Sequence, residues 1–282
     1  MKKVILWFKV IRPHSLFASC CPVLVGLMAE GVSSWGVAAV TLCCALFLQI
    51  LSNLINDYYD FRRGADKAGR VGPSRPLAEG KVTEVQMLRA VFVTLVLCLV
   101  SGLYLVFRGG WPILLIGLAS LLFAWLYTAT RFALSYLGIA DVFVLLFYGV
   151  VASTGTTYLQ IHRFSAVSFN AGAVCGLISM CLLIINNLRD IEDDRSVGKR
   201  TFPVRFGKRA GEIGMLVVVL SMPLFAWMAF GLDWPLLVIF PAFALFVATL
   251  RAEGRQYNRL MLGSGFTNLI YTGLCLLSVL LP

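Results

Sequence analysis

Charge is what this chain has least of. Asp, Glu, Lys and Arg supply 13% of its 282 residues, against roughly 25% in a soluble domain. That scarcity excludes an ordinary water-soluble globule. The eight cysteines (Cys20, Cys21, Cys43, Cys44, Cys98, Cys175, Cys181, Cys275) all lie inside apolar runs, and none has CxxC spacing. They read as small apolar packing residues, not as a disulfide or zinc framework. No small-residue cleavage site follows the first apolar run and more runs come after it, so that run is expected to be a retained span and not a signal peptide. The net charge of +10 would suit a nucleic-acid binder, but in a chain this apolar the bias of basic residues toward the cytoplasmic side explains it better.

What is abundant is hydrocarbon: 59% of the residues are hydrophobic. Several runs exceed the ~18 residues that mark a membrane span. Hydropathy predicts an all-α polytopic protein of about nine spans, forming one domain over 1–282. The spans fall near His14–Glu30, Gly36–Asn56, Leu88–Phe107, Pro112–Thr130, Gly138–Gln160, Ala166–Asn187, Gly211–Phe230, Pro235–Leu250 and Leu262–Leu281. With the N-terminus inside and the C-terminus outside, every Lys and Arg except Arg108 and Arg163 faces the cytoplasm. So lopsided a split sets the expected orientation. Almost nothing ionisable lies inside the spans except Asp141.

Two polar clusters break this pattern, NDYYDFRRGADK (Asn56 to Lys67) and NNLRDIEDDRSVGKRT (Asn186 to Thr201). Each follows a long apolar run on the cytoplasmic side, four helices apart, as an internal repeat would place them. Asn56 and Asp60 are four apart; so are Asn186, Asp190 and Asp194. Spacing of four stacks side chains on one helix face. Each cluster therefore presents a column of oxygen ligands, continued by Asp66 in the first. Carboxylates facing one another repel unless a cation sits between them. Oxygen ligands without His or Cys select a hard ion, Mg²⁺ first, which is commonly shared with substrate phosphates. The interleaved bases, among them Arg63, Arg75, Arg189 and Lys199, suit a diphosphate, whose remaining charge needs guanidinium forks and ammonium groups. The expected ligand is a magnesium-bound diphosphate at the membrane edge, in a central cavity open to the cytoplasm.

These clusters resemble the two aspartate-rich motifs of the UbiA superfamily of intramembrane prenyltransferases. RPLAEG (Arg75 to Gly80) resembles the stretch that follows the first motif there. RPHSLFASCCPVLVG from Arg12, the region Leu126 to Gln160, and RDIEDDRSVGKRTFPVRFG from Arg189 are similar to the 1,4-dihydroxy-2-naphthoate polyprenyltransferases. The resemblance implies two Mg²⁺ and transfer of a polyprenyl chain from its diphosphate to an aromatic acceptor. For the naphthoate acceptor the products are a demethylmenaquinone, diphosphate and CO2. Carried over, it implies metal ligation by Asn56, Asp60, Asp66, Asn186, Asp190 and Asp194. Arg63, Arg75, Arg131, Arg189 and Lys199 would meet the diphosphate; Arg12 and Tyr148 would meet substrate. Tyr127 joins Asp60, Asp190 and Asp194 as catalytic, its ring facing the allylic cation. Where the naphthoate enzymes read Tyr-Thr-Gly-Gly-Pro, this chain has Tyr127-Thr128-Ala129-Thr130-Arg131, and Asp141 stands where a Glu is common.

By the same resemblance the protein belongs in a bacterial inner membrane, among lipid, with no nucleic acid partner. Other acceptors remain open at this point: 4-hydroxybenzoate, homogentisate, haem or a lipid alcohol. A transporter would keep its acids near the bilayer midplane, and these lie at one face. A CDP-alcohol phosphotransferase would show a DG-x-x-A-R acid motif, which is absent.

Overall fold

The computed structural model describes residues 2–64, 72–73, 75–130 and 133–281. Two expected site residues, Asp66 and Arg131, lie outside them. Every regular element among the described residues is helical. Seven helical segments are long and apolar enough to cross a membrane, and two shorter apolar stretches, Ser15–Glu30 and Trp234–Leu250, stand where two more spans were expected.

In chain order, α1 (Lys2–Ile11) and α2 (Pro13–Glu30) meet at Arg12, whose φ of 56° turns the chain between them. Next comes α3 (Trp35–Arg62). It runs past the expected end at Asn56, so Asn56 and Asp60 share one helix. A Thr83–Gln86 capping box starts α4 (Glu84–Gly109), followed by α5 (Trp111–Thr128) and the short α6 (Leu134–Leu137). The fifth expected span is built from α7 (Ala140–Leu145), a π turn at Leu146–Val151, and α8 (Ala152–Ile161). Beyond it lie α9 (Ala166–Arg189), α10 (Ile191–Ser196), α11 (Phe202–Phe206) and α12 (Lys208–Phe230). A 3₁₀ turn at Trp234–Val238, α13 (Ile239–Leu250) and α14 (Gln256–Leu280) complete the chain.

The apolar segments are not equivalent. The hydrophobic window of α9 is 83% buried, that of α4 only 17%. Thus α9 is the axis, packed against α2, the π turn, α12 and α14, while α4 turns Phe92, Val100 and Phe107 outward. In hydrocarbon, outward apolar side chains are solvated and not exposed liabilities, so association depends on close packing of small residues. Trp35, Trp111 and Trp234, exposed or nearly so, begin segments at the end remote from the acid motifs, where interfacial indoles anchor.

Small residues set how closely the axis approaches the π turn. A Cβ on Gly149 would sit 2.5 Å from the Gly172 carbonyl oxygen and 2.7 Å from the Gly176 Cα. A Cβ on Gly172 would sit 2.5 Å from the Ser153 Cβ. Only glycine allows that backbone contact. Gly149→Leu is therefore expected to lower the thermal midpoint of the detergent-solubilised protein by the equivalent of about 3 kcal/mol or more, the upper range for overpacking. Gly117→Leu is the control: its Cβ meets nothing within 4 Å, and its midpoint should hold.

Candidate active site

At the C-terminal ends of α3 and α9 the two clusters converge on one chamber of about 170 Å³. On α3, Gln49, Asn53, Asn56 and Asp60 line it, three or four residues apart. The opposite wall is Asn186 and Asp190 of α9 with Asp194 of α10. Asp190 ends α9 and opens α10, yet the Asp194 amide still donates to the Asp190 carbonyl at 2.8 Å, so the spacing of four survives the break. Lys199 joins the two clusters directly. Its Nζ lies 3.8 Å from Asp60 Oδ2 and 3.5 Å from Asp194 Oδ1. Helix ends more than a hundred residues apart in sequence thus share a single cation.

The chamber suits an added hard cation. Asp60 Oδ1 is buried with no hydrogen-bond partner among the described residues, a condition native structures rarely leave unexplained. Burial pushes the Asp194 carboxyl up to about 6, with Asp190 and Asp60 adding to the rise and Lys199 opposing it. A divalent ion would relieve that strain. Among the described residues no three acids lie close enough to cage a metal alone. Asn56, Asn186 and phosphate oxygens would have to complete the shell, which is the usual habit of Mg²⁺.

Supporting bonds aim the amides. Asn56 Nδ2 donates to Thr128 Oγ1 at 2.9 Å, and its Oδ1 accepts from Arg12 Nη2 at 3.2 Å. Asn186 Oδ1 accepts from Arg189 Nη2 at 2.7 Å. Asp57, one residue from Asn56, points away from the chamber and takes salt bridges from both Arg12 and Arg75. It ties the α1–α2 corner and the loop after α3 to the helix. Behind it, Ser15, Ser19, Gln49 and Asn53 form a connected hydrogen-bond network.

Of the expected site residues, Asn56, Asp60, Asn186, Asp190, Asp194, Tyr127, Tyr148, Arg12, Arg75 and Lys199 all line this chamber. Two bases stand elsewhere. Arg189 is 1% exposed and spent on Asp190, Asn186 and Asn258, so it orients ligands from behind instead of meeting the cavity. Arg63 is exposed outside the lining, its guanidinium 4.8 Å above the Tyr136 ring. Lys199 Nζ lies 5.2 Å from the same ring, and the Arg200 amide donates to the Tyr136 carbonyl at 2.9 Å. Tyr136 therefore links the two motifs, a role with no signature in spacing. The network at Gln49 and Asn53 was foreseeable, because it extends the spacing of Asn56 and Asp60 back along α3.

A second cavity, about 380 Å³ and almost wholly apolar, adjoins the first; Ala18, Gln49, Ser52 and Tyr148 line both. Its walls come from α3, α4, α5 and α8, and the lining residues Leu99, Leu103, Leu114 and Leu118 are also exposed on the outer surface. Polar chamber and apolar cavity thus lie side by side.

Comparison with known proteins agrees. The profile of the UbiA prenyltransferase family matches residues 19–273. The 1,4-dihydroxy-2-naphthoate octaprenyltransferase of Escherichia coli (strain K12) is 38% identical over 214 residues, covering 72% of this chain and 68% of the relative. The protein of the same name from Haemophilus influenzae is 28% identical over 250 residues, covering 82% and 78%. A solved UbiA homolog from Archaeoglobus fulgidus, bound to GPP and Mg²⁺, superposes with a TM-score of 0.70 at 16% identity, covering 98% of this chain and 100% of that one. Fold, paired motifs and family match coincide: the chain belongs to the UbiA prenyltransferase family.

Proposed function

We propose that this integral membrane protein transfers a polyprenyl chain from its diphosphate to 1,4-dihydroxy-2-naphthoate, yielding a demethylmenaquinol (extracted in air as the demethylmenaquinone), diphosphate and CO2. One observation carries the reading: the chamber where Lys199 joins Asp60 to Asp194 adjoins an apolar cavity, with Gln49, Ser52 and Tyr148 lining both. A charged head and a long hydrocarbon tail need that pair of compartments side by side. The relatives' names supply the acceptor.

Asn56, Asp60, Asn186, Asp190 and Asp194 would hold Mg²⁺, two ions in the full site, with Asp66 as a further ligand. Bound there, Mg²⁺ neutralises the charge that grows on the diphosphate as the allylic carbon–oxygen bond breaks. Lys199, Arg75 and Arg131 carry the rest of that charge. Arg12 at the chamber wall attracts the acceptor's carboxylate. Tyr127 and Tyr148 offer ring faces to the allylic cation. The lopsided basic residues favour a cytoplasmic placement of this end, and bacterial relatives favour an inner membrane.

The test is incubation of membranes with Mg²⁺, a labelled polyprenyl diphosphate and dihydroxynaphthoate, followed by quinone extraction. Labelled quinone is the expected product. EDTA should abolish it and added Mg²⁺ restore it. Label appearing only on 4-hydroxybenzoate or homogentisate would reassign the acceptor, and no transfer to any arene would end the reading.

A further inference from the structure

Asp141 lies apart in sequence from both acid clusters. It stands in the first turn of α7, lines the chamber, and its Oδ1 is buried with no hydrogen-bond partner among the described residues. A carboxylate that merely held the fold together would be satisfied, as Asp57 is.

Its surroundings differ from those of the metal-facing acids. Asp141, Val144 and Tyr148 follow one another at offsets of three and seven, so one face carries all three into the chamber. Val144 packs in a cluster with Leu183, Tyr127, Tyr148 and Phe123. Of that cluster Val144, Leu183, Tyr127 and Tyr148 line the chamber and give it an apolar and aromatic wall against which an arene would lie. Asp141 stands at the end of this wall nearer the charged motifs, one and two turns from Val144 and Tyr148. The chamber thus supplies a ring platform with a single carboxylate at its rim.

Resting on the prenyl-transfer reading, we propose that Asp141 is a catalytic residue that takes the proton from the acceptor's ring hydroxyl. As the O–H bond breaks, the oxygen's electron pair feeds the ring carbon bearing the carboxylate, which forms the new carbon–carbon bond. The allylic carbon–oxygen bond breaks and its pair leaves on the diphosphate. Loss of CO2 returns its bonding pair to the ring, and the ring oxygen recovers the proton from Asp141. The carboxylate ends as it began. The ligand class is a hydroxylated arene; one without a hydroxyl beside the attacked carbon gains nothing from this group.

Asp141→Asn keeps the shape and removes the base. Turnover should fall about 10²- to 10⁴-fold, the usual contribution of a positioned base, with KM for the prenyl diphosphate unchanged and protein level in membranes held. Asp141→Glu should restore part of the rate. A ring-fluorinated acceptor whose hydroxyl is already ionised should narrow the gap between wild type and Asp141→Asn; a purely structural role would leave it unchanged. Near-normal turnover of Asp141→Asn, a rise in its diphosphate KM, or an unchanged gap with the fluorinated acceptor would each overturn the proposal. A wild type that prenylates no arene fails the underlying reading instead.

Discussion

Asp60→Ala leaves the protein in the membrane at its normal level. Asp60→Ala and Asp190→Ala each reduce prenyl transfer per folded molecule by at least about 10³-fold, the upper range for deleting one preorganised electrostatic contact. Asp190→Ala also strips the buried Arg189 of its carboxylate and lowers the thermal midpoint. Each removes a carboxylate from the two helix ends that meet at Lys199, which reaches Asp60 and Asp194. In Asp60 one carboxylate oxygen has no hydrogen-bond partner among the described residues. Its deletion therefore costs the resting fold nothing in lost bonds at that atom and relieves like-charge repulsion across the chamber. The thermal midpoint of Asp60→Ala should stay level or rise. Radiolabelled quinone from membranes gives the activity; a thermal shift in detergent gives the stability. Substantial turnover in either variant would contradict the metal assignment.

Asp57→Ala should do the reverse, although it lies three residues from Asp60 on the same helix. Its carboxylate is 2% exposed and receives both Arg12 and Arg75. Breaking a buried pair by deleting one partner costs about 3–5 kcal/mol, and the lower end applies because Arg12 is 21% exposed. The expected result is a large drop in thermal midpoint and in membrane protein level, with activity falling in step with the folded fraction. Asp57→Asn should recover part of the stability, because the amide oxygen still accepts one guanidinium. A stable but inactive Asp57→Ala would move this residue into the catalytic set.

These two predictions also mark how far spacing could be read. Asn56, Asp60, Asn186, Asp190 and Asp194 were legible because periods of four keep one helix face, and that face does line the chamber. Arg189 was not. Sequence places it among the bases beside an acid motif, but it turns inward to Asn186, Asp190 and Asn258. A guanidinium at the end of a long side chain can reach either way, and the neighbouring helix α14 decides. Tyr136 escaped for the same reason. Its value comes from Arg63 and Lys199 meeting over one ring, and no periodicity connects those three positions. The apolar cavity was equally invisible, since Leu99, Gly102 and Gly117 look like any other apolar span.

By itself the sequence determined that this chain is helical and lies in hydrocarbon, because apolar runs of that length leave backbone groups no partners but one another. It also determined which acids stack on a face, because helical geometry is local. Tertiary structure decided which acid serves which end. Asp57 clamps, Asp60 faces the cavity, and Asp141 ends at the rim of an aromatic wall. The physical reason is that a carboxylate's role depends on what approaches it from other helices, and close packing through Gly149, Gly172 and Gly176 sets those approaches.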